Sequence, residues 1–473
     1  MSHQYLAIDL GAESGRAMLA DLSGHLLKLQ EVHRFPNVPV NLPTGLYWNT
    51  LGLFQEMLAG LSAAARLTGR LESVAIDTWG VDFALLGPDG ALIDNPRHYR
   101  DVRTVGLPEK MFAAVPRADI FAATGIQFME LNSLYQLWAV QRQSPWLLAQ
   151  AKALLFMPDL FNYFLSGTMA AERTIASTSQ FYDPVRGQFA VELLEKLAIP
   201  AGCLPDLVDS GERLGALRPV VADASGVPRD TPVYTTASHD TASAVAAVPA
   251  EGAAGWCYIS SGTWSLMGME LERPLINAAS LDANFTNEVG VGGTIRFLKN
   301  IPGLWLLQEC RRAWAREGKE YSYDELIAMA RETEPSGSVL DLEIFQASGQ
   351  SAEKVMEYCR ATGQAVPGTP GAICRVILHS LAVRYREVLS LLEELTGQKV
   401  DVIHIVGGGS RNRLLNQLTA DVTGRRVVAG PSEATAAGNA LVQALGAGHL
   451  GSIEELRQVV RESFTVEEFL PRG

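Results

Sequence analysis

The chain has 473 residues, of which 47% are hydrophobic and 19% charged, and 52 acidic against 39 basic side chains give a formal net charge of -13. This length predicts two or three domains, and the composition is typical of a globular protein and excludes a largely disordered one. The acidic balance argues against a nucleic-acid partner, because binding to a phosphate backbone needs clustered positive charge.

The sequence shows neither a targeting signal nor a cysteine spacing typical of zinc sites. No apolar run approaches the roughly 18 residues that cross a bilayer, and residues 1–5 lack the pattern of a signal peptide. We therefore expect a cytoplasmic protein with no membrane partner. The five cysteines have no Cys-x-x-Cys spacing, which disfavours zinc, and we expect buried thiols. Cys359 and Cys374 flank a loop rich in Pro and Gly and could meet, but a reducing compartment disfavours a bridge.

The first half of the chain predicts an α/β unit built on a mixed sheet. Short turns between its first three strands force antiparallel pairing. Helical spacing follows over 131–164, with Trp138, Trp146 and Phe161 as predicted core residues. The predicted strands are 5–9, 16–21, 25–32, 74–78 and 83–86, with a helix over 51–67.

In the second half, a strand over 233–236 leads into small helix formers over 241–248, so Asp240 lies at a strand-to-helix junction. We place a domain boundary near residue 246, which gives an N-terminal domain over 1–245 and a C-terminal domain over 246–473. The later predicted elements are a strand over 256–260, a long helix over 373–395, a buried strand over 402–406, a helix from near Asn412 and a short helical tail over 453–462.

Two turns that contain glycine, Asp9–Arg16 and Ser260–Ser265, each separate two strand-like runs. Backbone N–H groups at such turns can hold an anion, so the repetition predicts two related domains that hold one polyphosphate. Asp9 would supply a carboxylate to Mg²⁺ or its waters, although Asp before Gly is also a common turn signal. Glu13 would repel phosphate and must point outward or toward the metal.

Three consecutive glycines, Gly407, Gly408 and Gly409, lie between a buried strand and a helix. They permit close approach of a flat ligand, and adenine or its ribose would fit that description. A plain loop is the alternative. Neither a dinucleotide-binding Gly-x-Gly-x-x-Gly pattern in a βαβ unit nor a Walker A sequence occurs.

Asp240 is the candidate general base. Phosphoryl transfer needs a carboxylate that takes the proton of the acceptor hydroxyl, and His239 and Thr241 beside it could hydrogen-bond a polyol. The alternative is structural, because Asp240 could merely cap the following helix and His239 could be a structural residue.

In this order the motifs resemble those of the FGGY carbohydrate kinases, and the resemblance covers essentially the whole chain. It implies an α/β fold of two actin-like, ribonuclease H-like domains, with mixed sheets flanked by helices around a central cleft. Within the family, the likeness is closest to members that phosphorylate the 1-hydroxyl of L-rhamnulose. The motifs that carry it are Asp9–Gly11, Ile76–Phe83, Ser238–Ala244, Ser260–Gly268, Leu298–Ile301, Gly303–Gln308 and Val406–Gly409.

The resemblance also implies ATP, Mg²⁺ and a small ketose as ligands, and it assigns roles to individual residues. The implied phosphate and nucleotide contacts are Ala12, Glu13, Ser14, Gly15, Arg16, Thr263, Gln308 and Gly408. The implied sugar contacts are Gly80, His239, Asp240, Thr241 and Asn300, with Asp240 as the base. To these we add Trp79 and Asp82, an aromatic face and a carboxylate that suit a deoxyketose with a methyl end; a core aromatic and a turn-capping acid are the alternative.

Other functions stay open at this point. The same frame could phosphorylate L-fuculose or L-xylulose, because contacts that the sequence does not display select one hydroxyl configuration. Actin and heat-shock ATPases share the superfamily, but residues 440–473 supply only a short helical tail and no peptide-binding module. A sugar-binding regulator that has lost catalysis is disfavoured by the intact Asp9 and Asp240. We expect a monomer or a weak homodimer.

Overall fold

The structure is a computed structural model that describes residues 2–252, 254–345 and 349–472. Its strands are β1 (Ser2–Leu10), β2 (Ser14–Ser23), β3 (Leu26–Pro36), β4 (Val40–Leu42), β5 (Gly45–Tyr47), β6 (Ser73–Thr78), β7 (Phe83–Leu86), β8 (Leu92–Asp94), β9 (Ala153–Phe156), β10 (Ala170–Glu172), β11 (Tyr182–Asp183), β12 (Gln188–Phe189), β13 (Asp206–Val208), β14 (Arg213–Ala216), β15 (Pro232–Tyr234), β16 (Trp256–Ser261), β17 (Trp264–Leu271), β18 (Thr286–Val289), β19 (Ile295–Pro302), β20 (Val402–Val406), β21 (Arg426–Ala429) and β22 (Glu467–Phe469). Its α-helices are α1 (Thr50–Leu67), α2 (Leu107–Phe112), α3 (Arg117–Thr124), α4 (Ser133–Gln143), α5 (Pro145–Gln150), α6 (Met157–Ser166), α7 (Arg173–Ala176), α8 (Val191–Lys196), α9 (Pro219–Ser225), α10 (Asp240–Ala246), α11 (Ala278–Asp282), α12 (Trp305–Arg316), α13 (Tyr323–Glu332), α14 (Ala352–Ala361), α15 (Pro370–Thr396), α16 (Arg413–Thr423), α17 (Ala434–Gly446) and α18 (Ile453–Ser463).

The chain divides into two compact units, each assembled from separate stretches. The boundary that the sequence predicts near residue 246 separates two functional domains. That division differs from the one into compact units, and it stays a prediction. Unit 1 comprises Met1–Pro249, Glu270–Phe297 and Ala434–Ser463, and unit 2 comprises Ala250–Met269, Leu298–Glu433 and Phe464–Gly473.

The main sheet of unit 1 has the strand order β14-β15-β6-β1-β2-β3. β1 pairs with β2 antiparallel and with β6 parallel. The tight turn between β1 and β2 forces the antiparallel pairing, whereas the long connection through α1 allows the parallel one. The predicted mixed sheet is confirmed. Its register places Asp9 opposite Arg16 on one side and Asp77 on the other.

The two faces of this sheet bury different side chains, because successive residues of a strand point to opposite faces. Leu6 and Ile8 pack in one apolar core with α1 residues such as Met57. The opposite face is polar at two points, where helix α17 lies on it. There Asn439 donates to Asp77, and Ser73 donates to Gln443. Helix α17 therefore holds the sheet through buried polar contacts.

The sheet of unit 2 repeats the central arrangement of unit 1. Its strands lie in the order β19-β17-β16-β20-β21-β22. β16 pairs with β17 antiparallel across a tight turn and with β20 parallel, as β1 pairs with β2 and β6. In both units the turn and the carboxyl end of the neighbouring parallel strand therefore lie at the same edge of the sheet. This agrees with the two related domains that the paired glycine turns predict.

Two details of the first half differ from prediction. Residues 131–164, predicted as helical throughout, include strand β9, which is fully buried and pairs antiparallel with β7. Trp138 and Phe161 are buried as predicted, but the prediction for Trp146 is wrong, since it is 55% exposed. It lies in the short helix α5, where only Leu147 and Leu148 are buried.

The predictions for the cysteines agree with the structure. All five thiols are buried and free, so Cys359 and Cys374 do not form a bridge. Within the described residues, no helix combines the length and apolar character needed to cross a membrane.

Candidate active site

The first glycine turn, between β1 and β2, is held in shape by its own backbone and by a neighbouring side chain. The N–H of Gly11 donates to the carbonyl of Ser14 at 2.9 Å, and the amide of Asn37 donates to the carbonyl of Gly11 at 2.9 Å. A Cβ on Gly15 would lie 2.3 Å from the ring of Phe35, so only glycine fits there. Glu13 is exposed, which favours the outward orientation over the alternative in which it points toward the metal.

Three carboxylates of unit 1, those of Asp9, Asp77 and Asp240, influence one another electrostatically. Burial raises the pKa of Asp77 well above its ordinary value, and the charges of Asp9 and Asp240 raise it further. The pKa of Asp240 is raised by burial and by Asp9, against a lowering by His239. Such mutual repulsion is relieved when a cation binds.

The individual contacts of these carboxylates differ. Oδ2 of Asp9 accepts from Nε and Nη2 of Arg16 at 2.9 and 2.8 Å, so two residues predicted for metal and phosphate form an ion pair. Oδ2 of Asp77 accepts from Asn439 at 2.6 Å, while its Oδ1 is buried and has no hydrogen-bond partner among the described residues. A buried carboxylate oxygen without a donor suits a bound cation or its water.

Asp240 is the first residue of α10, as the sequence predicts, and its side chain is 31% exposed. The hydroxyl of Thr241 donates to Oδ1 at 3.1 Å, and Nε2 of His239 lies 3.4 Å from the same oxygen. Helix α10 packs tightly on α17, because a Cβ on Gly438 would lie 1.8 Å from the carbonyl of Ser243. Asp240 is thus an accessible carboxylate on a firmly held helix.

Two buried charged residues, which the sequence analysis did not identify, contact the Nδ1 side of His239 and hold its ring in place. Its Nδ1 lies 3.1 Å from Oε2 of Glu288 and 3.2 Å from Nη2 of Arg296, and the Glu288 and Arg296 atoms are 3.0 Å apart. Burial raises the pKa of Glu288, but Arg296 and His239 outweigh it and the net shift is downward. Arg296 could have been noticed in the sequence, because it is a charged residue inside the apolar strand β19. The neighbouring sequence, however, does not indicate that it contacts His239.

Gly80 faces His239 at the end of β6. A Cβ at this position would lie 3.4 Å from Nε2 of His239 and 3.3 Å from Oγ1 of Thr178. The next residue, Val81, has a φ of +68°, which a β-branched side chain rarely adopts. Its N–H donates to Thr178 at 3.2 Å. The backbone here is held in a strained form that keeps the space before His239 open.

The contacts of Trp79 and Asp82 favour the structural alternative for both. Asp82 is 1% exposed, and its Oδ2 accepts from Nε1 of Trp48 at 2.6 Å and from Nε1 of Trp79 at 3.0 Å. Its Oδ1 accepts from Gln136 at 2.8 Å. The Trp79 ring is itself buried against Trp48, with centroids 4.0 Å apart. Both side chains therefore lie in the core, where they support the loop that follows Gly80.

The buried state of Asp82 predicts a pH dependence of stability. Burial raises its pKa from 3.8 to about 6 although Gln136 and the tryptophans oppose the shift, so the folded state favours the protonated form. Its contribution is most favourable below pH 3.8 and is lost as pH rises through about 6, a difference of about 3 kcal/mol. Urea titrations measure this effect as the difference in free energy of unfolding between the wild type and Asp82→Asn. We expect the wild type to lose about 3 kcal/mol relative to the variant between pH 4 and 7. Equal pH slopes for the two proteins would contradict this.

In unit 2 the second glycine turn brings two predicted nucleotide contacts together. The N–H of Gly262 donates to the carbonyl of Trp264 at 2.8 Å, and Nε2 of Gln308 donates to Oγ1 of Thr263 at 3.1 Å. A Cβ on Gly303 would lie 2.6 Å from the backbone carbon of Trp264, so the start of α12 packs directly on the turn. The turn contains no carboxylate and offers only donors and hydroxyls. The predicted sugar contact Asn300 also lies in unit 2, on β19.

The structure gives a different explanation for glycine at each of the three consecutive positions 407, 408 and 409. Gly407 has a φ of +81°, and a Cβ on Gly409 would lie 2.0 Å from Oγ of Ser261. A Cβ on Gly408 would meet none of the described atoms within 4 Å. Conformation and packing thus explain the outer two, whereas Gly408 faces open space. This is the position at which a flat ligand could approach the backbone.

A paired substitution separates these roles. Gly409→Ala should lower the free energy of unfolding by about 1–3 kcal/mol, because the methyl group overlaps Ser261. Gly408→Ala should change it by less than about 0.5 kcal/mol but raise the KM for ATP about 10-fold, equivalent to 1.4 kcal/mol of binding. Chemical denaturation and steady-state kinetics measure the two effects. An unchanged KM in Gly408→Ala would contradict the predicted nucleotide contact of this residue.

Comparison with known proteins extends the likeness over the whole chain. The models of the N-terminal and C-terminal domains of the FGGY family of carbohydrate kinases match residues 4–247 and 257–447. A rhamnulokinase of Bacteroides thetaiotaomicron is 43% identical, over 100% of this chain and 96% of that protein, and one of Oceanobacillus iheyensis is 38% identical, over 97% and 96%. The ligand-bound xylulose kinase of Lactobacillus acidophilus has a TM-score of 0.81 at 14% identity and covers 99% of this chain and 94% of its own. The predicted two-domain α/β fold is confirmed.

Proposed function

The chain belongs to the FGGY family of carbohydrate kinases, and from this premise we propose that it transfers the γ-phosphoryl group of ATP to the 1-hydroxyl of L-rhamnulose. The products are L-rhamnulose 1-phosphate and ADP, and the reaction is a step of L-rhamnose catabolism. The observation that carries the acceptor is the likeness to rhamnulokinases at 43 and 38% identity over nearly the entire chain. L-fuculose and L-xylulose are the less favoured acceptors.

Asp240 acts as the general base in this proposal. Its carboxylate is partly accessible to solvent, and its partial burial raises its pKa above the ordinary value of 3.8, which increases its affinity for a proton. It takes the proton from the 1-hydroxyl as that oxygen attacks the γ-phosphorus in line, and the bond to the β-phosphate oxygen breaks. The hydrogen bond from Thr241 holds the carboxylate in one orientation.

The sugar is bound by the groups around His239. Arg296 and Glu288 lie against Nδ1, which leaves Nε2 to form a hydrogen bond with a sugar hydroxyl on the side of Gly80. Thr241 and Asn300 would add further hydrogen bonds. Trp79 and Asp82 support this region from within the core and are not proposed as direct contacts.

Each unit carries residues that we propose as contacts of ATP: the first glycine turn in unit 1, and the second glycine turn with the nucleotide contacts beside it in unit 2. Arg16 and the backbone of Ala12, Ser14 and Gly15 would contact phosphate oxygens, and Thr263 and Gln308 would donate hydrogen bonds. Gly408, which faces open space, would lie against the adenine or its ribose.

Magnesium fits the acidic part of the site. The mutual influence of the three carboxylates and the unpaired Oδ1 of Asp77 among the described residues favour a divalent cation there. Asp9, with Asp77 behind it, would hold Mg²⁺ directly or through water, and the ion would offset the phosphate charge. Arg16 would then exchange its contact with Asp9 for the phosphates.

A coupled assay of ADP release across a panel of ketoses tests the proposal. L-Rhamnulose should give a higher kcat/KM than L-fuculose and L-xylulose, and phosphate should be found on the 1-hydroxyl by NMR. Ketose-independent ATP hydrolysis would point to an ATPase, and binding of the sugar without turnover would point to a regulator. The functional division at residue 246, the cytoplasmic location, the absence of nucleic-acid and membrane partners and the monomer or weak dimer stay predictions.

A further inference from the structure

A second polar cluster lies in unit 1 at the opposite end of β1 from Asp9. His3 and Tyr5 point to the same face of the strand as Asp9, the face on which α17 lies. Six residues of extended strand separate His3 from Asp9, which corresponds to about 20 Å. The cluster is therefore independent of the proposed phosphoryl transfer, which makes no use of it.

Two imidazoles and a carboxylate meet here. Nδ1 of His3 lies 3.4 Å from Oε1 of Glu72, and the rings of His3 and His449 stack with their centroids 3.7 Å apart. One ligand atom from each of the three residues can be chosen such that all lie within 4.8 Å of one another. A tetrahedral Zn²⁺ with ligands at about 2.1 Å needs ligand atoms about 3.4 Å apart. Small side-chain rotations close that difference, because His3 and Glu72 are only partly buried.

The surrounding structure fixes two of the three residues, Glu72 and His449. The backbone N–H of Glu72 donates to the carbonyl of Gln4 at 2.7 Å, and that of His449 donates to the carbonyl of Ala444 at the end of α17 at 2.9 Å. Nδ1 of His449 lies 2.5 Å from the hydroxyl of Tyr5, a fully buried residue. A hydrogen bond to the remote nitrogen orients an imidazole for metal binding through the other nitrogen.

The types of ligand also favour a metal. The neutral imidazole is the form that ligates metals, and imidazoles with one carboxylate suit Zn²⁺ and related transition metals.

We propose that His3, Glu72 and His449 form a binding site for Zn²⁺ or a similar divalent transition metal, with water as the fourth ligand. The ion would join the first strand, the residue before β6 and the segment after α17. Because these segments are far apart in the chain, the bound ion would fasten the end of α17 to the sheet and stabilise the folded state.

Isothermal titration of the tag-free, full-length chain with ZnCl₂ tests the proposal, after removal of metals with EDTA and in excess MgCl₂. We expect one Zn²⁺ per chain, and an affinity reduced at least about 10-fold in both His449→Gln and Glu72→Gln. His25→Ala removes an exposed histidine in the turn after β2 and is the matched control, with unchanged affinity. Ketose kinase activity without Zn²⁺ should be the same in all four proteins.

Thermal unfolding supplies the second measurement. Zn²⁺ should raise the Tm of the wild type and of His25→Ala, and it should not raise the Tm of the other two variants, whose circular dichroism in EDTA must match the wild type. If a variant fails to fold, Co²⁺ bound to the wild type must show the absorption of a nitrogen- and oxygen-ligated tetrahedral ion. A wild-type chain that binds no Zn²⁺, or equal binding by folded variants and wild type, would overturn the proposal whether or not the kinase activity is confirmed.

Discussion

Asp240→Asn should lower kcat at least about 100-fold while leaving the KM values for ketose and ATP nearly unchanged. The amide has the size of the carboxylate and can still accept a hydrogen bond from Thr241, so the start of α10 should keep its structure. It cannot take the proton of the acceptor hydroxyl. Steady-state ADP release and calorimetric binding of the ketose measure the two quantities separately.

The pH profile gives this prediction a second readout. Because the pKa of Asp240 is raised, wild-type kcat/KM should fall as pH decreases through that pKa, where the base becomes protonated. The residual activity of Asp240→Asn should lack this acidic limb. The exposed Asp230, in the loop before β15, offers the matched control Asp230→Asn, which should retain wild-type turnover. Wild-type turnover in Asp240→Asn would disprove the assignment of the base.

Glu288→Gln should lower the free energy of unfolding by about 3–5 kcal/mol, because it leaves the charge of the fully buried Arg296 without its carboxylate. The same variant removes the negative charge that lies 3.1 Å from Nδ1 of His239. We therefore also expect the KM for the ketose to rise with a smaller change in kcat, measured at a temperature where the variant is folded. Urea denaturation gives the stability.

Two further variants separate charge burial from the positioning of His239. The double substitution of Glu288→Leu and Arg296→Met removes both charges and should recover much of the stability but not the KM for the ketose. Glu272→Gln alters an exposed carboxylate in the same stretch of unit 1 and should change neither. A double variant with the wild-type KM would show that Glu288 has no positioning role.

The pH dependence of this contribution has a defined sign. The folded pKa of Glu288 lies below its ordinary value of 4.5, so the stabilisation is present above that pH and is lost as pH falls through the lower, folded value. This is opposite to Asp82, whose raised pKa makes ionisation unfavourable in the folded state. The two buried acids differ because Glu288 has a buried cation beside it, whereas the described residues that donate hydrogen bonds to Asp82 are neutral.

The sequence by itself determined the local parts of the site. Short turns between apolar runs predicted the hairpins of both units, and the helix α10 beginning at Asp240 followed from small residues after a β-branched strand. These features depend on neighbours within a few residues, and alternation and turn chemistry record them directly. The same reasoning failed at β9, because a short buried strand between helices has no period of its own.

Tertiary structure alone decided which groups support the predicted ones. Asn439 reaches Asp77 across 362 positions of the chain, and Arg296 reaches His239 across 57. It also decided that Trp79 and Asp82 face inward and that Gly408, unlike Gly409, lies against open space. Burial, pairing and the direction of a side chain arise from packing between distant segments, which no local pattern of residues encodes.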